Sequence, residues 1–320
     1  MQMDYQGFAS DLPVDGRVHF SSAEESEEVM QRHDVNQQMR QTGKGRFQAD
    51  CALIETERAI ISADRFSTAI QAFYEPPPDT VSMLIIRCVG GPVLASGESV
   101  GDDKIVVVPS GYGADLISSE LSGSEAIAIP KTKYTELTQA LFPSGAQPEG
   151  MQISKGDTRV LRDISHSLLR ILADAEPCDE EIANLVAHMV ICTNYPFPGE
   201  RPETIYRKQT KIEIAKQAQT YVEEHYHETV SIEDLCRATG KEVRTLQRCF
   251  RSYFDSTISD YLKIVRLNAA RRELLSVQPD EETVSSIALN NGFTHLGRFS
   301  VEYKKHFGES ASETLQKRKN

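Results

Sequence analysis

A short helix, a glycine break and a second helix rich in Arg and Gln occur twice in the last third of the chain. No other feature restricts the fold as strongly. In the first copy Ser231 caps a short helix with Glu233 and Asp234 in its first turn and Leu235 and Ala238 facing inward. Thr239-Gly240-Lys241 breaks it, and the next helix is predicted over Glu242–Tyr253, bearing Arg244, Thr245, Gln247, Arg248 and Arg251. The second copy runs from Val284 to Leu289, breaks at Asn290-Asn291-Gly292-Phe293, and continues as a helix over His295–His306 with Arg298, Lys304 and Lys305. A long helix over Thr257–Leu275, then Pro279-Asp280-Glu281-Glu282, joins the two, and a further helix over Ile212–His227 precedes them. One such corner is common in helical proteins. Two in tandem on one connecting helix specify a double helix-turn-helix.

The rest of the chain has a different period. Cys51–Ile61, Arg65–Phe73, Val81–Val89, Lys104–Val108 and Ala126–Ile129 are short apolar or alternating runs. They are separated by Pro76-Pro77-Pro78-Asp79, Gly90-Gly91-Pro92, Gly101-Asp102-Asp103 and Ser110-Gly111-Tyr112-Gly113, so a sandwich or small barrel is expected, preceded by a polar helix over Glu24–Gln41. From residue 156, Val160, Ile164, Leu168, Ile171 and Leu172 mark an amphipathic helix. A second carries Ile182, Leu185, Val186, Met189 and Val190, opened by Pro177 and Asp179-Glu180-Glu181. Their stripes suit either the core of their own domain or a second subunit. Three prolines and a glycine between 193 and 209 mark an interdomain linker. The expected division is 1–155 β-rich, 156–192 helical, 193–209 linker and 210–320 helical.

Charge follows the same division. The net charge is −12, yet residues 205–320 hold 19 Lys and Arg against 16 Asp and Glu, whereas 1–204 hold 16 against 31. Such asymmetry suits a binding module attached to an acidic partner domain. No run of eighteen apolar residues exists to cross a membrane. The residues from Met1 to Tyr5 have neither a basic flank nor an apolar stretch, so no signal peptide is expected. Six cysteines lie scattered without a CxxC or Cys/His cluster, which argues against a zinc site and a disulfide framework.

The helical segment resembles the AraC/XylS transcriptional regulators. Ile287-Ala288, Gly292-Phe293, Phe299-Ser300, Tyr303-Lys304 and Phe307-Gly308-Glu309-Ser310 carry the resemblance in the second copy. In the first it rests on Ser231-Ile232, Leu235, Ala238, Gly240, Leu246-Gln247-Arg248 and Phe250, and in the connecting helix on Tyr261-Leu262, Arg266-Leu267, Ala270-Arg271 and Leu274-Leu275. It implies an α+β chain, a β-rich cupin-like regulatory barrel with two coupling helices followed by an all-α double helix-turn-helix domain. It also implies a cytoplasmic DNA-binding regulator on the bacterial nucleoid, more often an activator, with a small-molecule effector or partner at the first domain, RNA polymerase as a partner and a homodimer as the assembly. Neither catalysis nor a cofactor is implied. The family's usual glycine near Asp255, its prolines near Ile258 and at Ala311, and its basic residue at Val301 are absent, and the last of these puts Arg298 forward as the main reader of the second copy.

Arg takes guanine bidentately and Gln takes adenine, so Arg244, Thr245, Gln247 and Arg248, with Thr294, His295 and Arg298, are the candidate base contacts. Arg251, Lys304 and Lys305 are candidate phosphate contacts. The ordinary alternative is an Arg/Gln face that is only solvated. Leu246, Phe250, Leu267, Ile287, Phe293, Phe299 and Phe307 are read as core, Cys249 as a buried small hydrophobe, and His166 and His188 as packing residues. In the β-rich part no histidine occurs between 34 and 165, so a cupin-type metal site is not expected. Arg65, Arg87, Tyr74 and Tyr112 are possible ligand contacts there, with ordinary surface or edge roles the simpler reading. A β-barrel enzyme or adaptor using the helical domain for protein interaction is the alternative function.

Overall fold

The computed structural model describes residues 5–14, 16–89, 91, 93–118, 120–143, 149–174, 177–194, 203–204, 209–278 and 282–317. The chain divides into two units, Met1–Met39 with Phe47–Arg207, and Arg40–Arg46 with Lys208–Asn320. The Pro279-Asp280-Glu281 turn and most of the 193–209 stretch lie outside the described residues, as do Gly90 and Pro92.

In the first unit the order is α1 (Tyr5–Ala9), β1 (Arg17–Phe20), α2 (Ala23–Gln31), β2 (Asn36–Gln41), β3 (Ala49–Glu55), β4 (Ile60–Phe66), β5 (Ile70–Glu75), β6 (Thr80–Cys88), β7 (Val93–Ala95) and β8 (Glu98–Val100). It continues with β9 (Lys104–Pro109), β10 (Ala114–Ile117), β11 (Ser122–Pro130), α3 (Lys131–Leu141), β12 (Gln152–Lys155), α4 (Thr158–Leu172), α5 (Asp179–Asn194) and β13 (Glu203–Thr204). The strands form two antiparallel sheets, ordered β1-β3-β4-β11-β6-β9-β12-β13 and β2-β5-β10-β7-β8. The β-rich unit is thus a pair of antiparallel sheets, and neither order closes on itself among the described residues.

The central strands of the larger sheet are covered on both faces, which explains their almost continuous Val/Ile runs. Ile61, Ala63, Met83, Ile85, Ile105, Val107, Ile127 and Ile129 join one cluster with Leu161, Ile164, Leu168, Ile182, Leu185 and Met189 of α4 and α5. The alternate residues Leu84, Ile86, Val106, Val108 and Ala126 pack with Val93, Ala95, Val100 and Ala114. The period of two puts each set on its own face. The stripes of α4 and α5 are thus spent on their own sheet. Leu161 takes the inward place expected of Val160, which is 43% exposed. His166 and His188 are exposed rather than packed, because both fall off the apolar stripes.

Two runs differ from expectation. Glu24–Gln41 is not one helix: α2 ends at a C-cap on Arg32, Asp34 adopts φ 56°, and the chain re-enters as β2, which buries Met39. Cys51–Ile61 holds the end of β3, a turn and the start of β4. Among the described residues six further strands, β1, β7, β8, β10, β12 and β13, escape a period-2 reading, β7, β8 and β10 because three or four residues are too few to show alternation.

The second unit holds α6 (Gln209–His225), α7 (Ile232–Thr239), α8 (Val243–Phe254), α9 (Ile258–Ser276), α10 (Val284–Asn290), α11 (Leu296–Phe307) and α12 (Ala311–Gln316). Helices α6, α7 and α8 pack together, α10, α11 and α12 do the same, and α9 touches both groups. Its 19 residues span roughly 28 Å. Leu246, Phe250, Leu267, Ile287, Phe299 and Phe307 are all buried, and Phe293 is partly so. Asp255, where the family prefers glycine, still forms the left-handed C-cap of α8 at φ 48°. The turn is kept at the cost of a strained non-glycine residue.

Candidate nucleic-acid interface

The first copy is set by its caps. Ser231 and Asp234 form a capping box at the start of α7, and the Ser231 donors hold the Asp234 carboxyl below the usual range. Gly240 closes the helix at φ 62°, the left-handed conformation that only glycine adopts freely, and α8 starts three residues later. Along α8, Leu246, Cys249, Phe250, Tyr253 and Phe254 point inward. That leaves Arg244, Gln247, Arg248 and Arg251 exposed at i, i+3, i+4 and i+7, one stripe along the helix. Among the described residues no hydrogen bond or ion pair occupies these four side chains. Thr245 sits half-buried at the edge of the stripe.

The second copy repeats the device with different residues. Thr283 and Ser286 form the capping box of α10. The buried Asn291 amide donates to Glu273 Oε2 at 2.6 Å and to the Ile287 carbonyl at 2.8 Å. Gly292 is required twice over. Its φ is 80°, and a Cβ there would lie 2.9 Å from the Tyr226 carbonyl oxygen, itself held at 2.6 Å by the Arg266 guanidinium. Thr294 lies in the turn and His295 is the N-cap of α11, so both precede the helix rather than sit within its early turns. Both are exposed.

On α11, Phe299, Tyr303, His306 and Phe307 face the core, while Arg298, Val301, Lys304 and Lys305 face out. Arg298 differs from the arginines of α8, because its Nε lies 2.9 Å from Glu302 Oε1, an i, i+4 pair. The spacing that makes this pair is plain in the sequence, although Glu302 attracts no notice in a search for cations. Val301, where the resemblance implies a basic residue, is an apolar side chain 68% exposed. Lys304 and Lys305 occupy the last turn, where cations also complement the helix dipole.

In the first unit the possible ligand contacts separate. Arg65 is fully buried between Asp11 and Glu125. Arg87 reaches Ser165 at 3.4 Å, and Tyr112 is 44% exposed. Tyr74 lines a cavity, with its hydroxyl 2.7 Å from Ser82 Oγ. Among the described residues no group of three or more His, Cys, Asp or Glu side chains is placed to hold a metal, and no helix is long and apolar enough to cross a membrane.

The family model and the curated relatives match the helical unit. Residues 235–317 match a family described as helix-turn-helix domain. The chain is 40% identical over 103 residues to the probable thc operon regulatory protein of Rhodococcus erythropolis, a match covering 32% of this chain and 31% of that one. It is 31% identical over 99 residues to the XylDLEGF operon transcriptional activator 1 of Pseudomonas putida, covering 31% and 30%. The match thus spans about three-tenths of the length of these relatives. A solved structure of a probable AraC family transcriptional regulator from Rhodopseudomonas palustris is 33% identical, covering 32% of this chain and 95% of that one, at a TM-score of 0.31.

Proposed function

We propose that this chain, whose C-terminal unit is a double helix-turn-helix domain of the AraC/XylS type, is a sequence-specific DNA-binding transcriptional regulator, more often an activator than a repressor. The observation that carries this is the stripe of Arg244, Gln247, Arg248 and Arg251, exposed and unpaired on the helix that follows the Gly240 turn. In this motif the second helix enters the major groove, and Arg and Gln are the side chains that read guanine and adenine bidentately. Arg251, Lys304 and Lys305 serve the phosphates, and Thr245, Thr294 and His295 are the peripheral base contacts. The β-rich unit is the regulatory half, responding to a small molecule or partner. RNA polymerase is the downstream partner, a homodimer the working assembly and the cytoplasmic nucleoid the place of action.

The test is capture of genomic DNA by the purified full-length protein, followed by affinity measurements on the enriched site. Paired sub-sites about one helical turn apart are expected. Absence of any enriched sequence would sink the reading. On that site Arg248→Ala is expected to cost about 1–3 kcal/mol and to relax one base position. Equal loss on every sequence would instead make Arg248 a phosphate contact.

In the second copy Glu302 competes with DNA for Arg298. Glu302→Ala is therefore expected to tighten binding by up to about 1 kcal/mol, the upper range for an exposed ion pair, as read by fluorescence anisotropy on the same duplex. Unchanged or weaker binding would show that Arg298 stays away from the bases even when released. The exposed Val301 beside it suits contact with a thymine methyl group.

A further inference from the structure

Between the two sheets of the first unit lies a cavity of about 80 Å³ lined mainly by apolar side chains, Met30, Phe66, Leu84 and Ile86 among them. Part of its polar lining comes from β4 and β11, the rest from Gln37, Tyr74 and Ser118. Ser124 stands opposite Asp64 in the register of these strands, and Ser122 opposite Phe66, so all four occupy alternate positions. Asp64 accepts from the Ser124 N–H at 3.0 Å and from its Oγ at 2.7 Å. Ser122 is 3% exposed and its Oγ has no hydrogen-bond partner. Among the described residues no Lys, Arg or His lines the cavity. The nearest guanidinium, that of Arg65, is committed to Asp11 and Glu125.

We infer that this cavity binds a small apolar amine, its ammonium held by the Asp64 carboxylate and the Ser122 hydroxyl and its hydrocarbon by the surrounding side chains. This rests on the proposed regulatory role of the first unit and adds to it the chemical class of the effector. A carboxylate in an apolar cavity whose neighbouring cation is shared with two other carboxylates is costly, and so is a buried hydroxyl without a partner. An ammonium relieves both, being a donor of up to three hydrogen bonds. Consistently, burial pushes the Asp64 carboxyl up to about 6 against the lowering effect of the Ser124 bonds and the Arg65 charge. A carboxylate ligand would meet Asp64 with no cation lining the cavity among the described residues. The volume is about half of the ~150 Å³ that admits benzene, so the amine has few carbons.

The test titrates the full-length protein at pH 7.5 with isobutylamine, isobutanol and isobutyrate by calorimetry. Isobutylamine is expected to bind about 10- to 100-fold more tightly than isobutanol, the ratio a hydrogen bond to a charged group supplies, and isobutyrate not at all. Asp64→Asn keeps an acceptor for the Ser124 N–H and is expected to fold and to lose the preference for the amine. Ser122→Ala removes only the unpartnered hydroxyl and is expected to weaken amine binding several-fold. Failure of all three probes, binding of isobutyrate as tight as that of the amine, or an amine preference unaffected in both variants would each overturn the inference. DNA affinity measured in parallel separates the two levels. Amine binding that leaves DNA affinity unchanged refutes the regulatory reading and keeps the site, whereas DNA binding without amine binding does the reverse.

Discussion

Replacing Arg271 with Ala is expected to cost about 3–5 kcal/mol of stability in the helical unit, the usual penalty for removing one partner of a buried ion pair. Arg271 on α9 and Glu309 at the start of the α12 turn are both nearly inaccessible, with Arg271 Nη1 at 2.7 Å from Glu309 Oε1. The guanidinium also lies 4.7 Å from the centre of the Phe307 ring. Burial would raise the Glu309 carboxyl, but hydrogen bonds from Lys317, Thr314 and Arg271 outweigh it and hold the group below the usual carboxylate range. Without Arg271 the carboxylate stays buried, with Lys317 and Thr314 as its remaining donors. Arg271→Met combined with Glu309→Leu removes both charges and keeps apolar contact with Phe307, and is expected to recover most of the loss. Chemical denaturation of the three proteins reads this directly. A loss below about 1 kcal/mol in the single variant would mean that Lys317 alone neutralises Glu309. Because the pair ties α9 to the end of α11, the single variant should also protect its DNA unevenly, keeping the α8 half of a footprint and losing the α11 half.

The same contacts show why the sequence is so readable in one half and not the other. Gly240 is legible because its positive φ favours glycine, Gly292 because positive φ and close backbone approach both do, and Ser231 and Thr283 because caps demand short hydroxyl side chains. The α8 stripe is legible because its cations recur at helical spacing beside strongly apolar positions. Arg298 was visible as a cation, whereas its capture by Glu302 depends on rotamers that spacing permits without dictating. In the β-rich unit the long central strands stand out through their apolar runs. The polar strand β2 looks like a helix, since Asn36-Gln37-Gln38 gives no period and only burial of Met39 fixes its face. Asp64 and Ser122 carry no local signal at all. Their meaning comes from the register of β4 with β11 and from the apolar strands around them, both long-range properties.

Lowering the pH from 7 to 4 is expected to remove about 3 kcal/mol from the helical unit through one histidine. His306 on α11 is 5% exposed, and its Nε2–H donates to the Gln41 carbonyl at 3.0 Å. Its own carbonyl accepts from Gln41 Nε2 at 2.8 Å and from the Gly45 N–H at 2.9 Å. Gln41 and Gly45 belong to the Arg40–Arg46 segment of the same unit. Burial pushes the imidazole down to about 4 despite the Gln41 hydrogen bond, and the charges of Lys44, Arg271 and Lys263 add to it. The unfolded chain titrates near 6.5, so it binds the proton first as pH falls. The stabilising contribution of neutral His306 is therefore complete above about pH 7, declines between 6.5 and 4, and is gone below the folded value. Glu309 and Glu223, both held below the usual carboxylate range, also lose stability in acid but at lower pH. His306→Gln isolates the imidazole, since an amide can still donate to Gln41 and does not titrate. Stability measured from pH 7 to 4 should fall more steeply for the parent protein than for the variant, the gap widening as pH drops below 6.5. Parallel curves over that window would show that the imidazole is as easily protonated in the folded protein as in the unfolded chain.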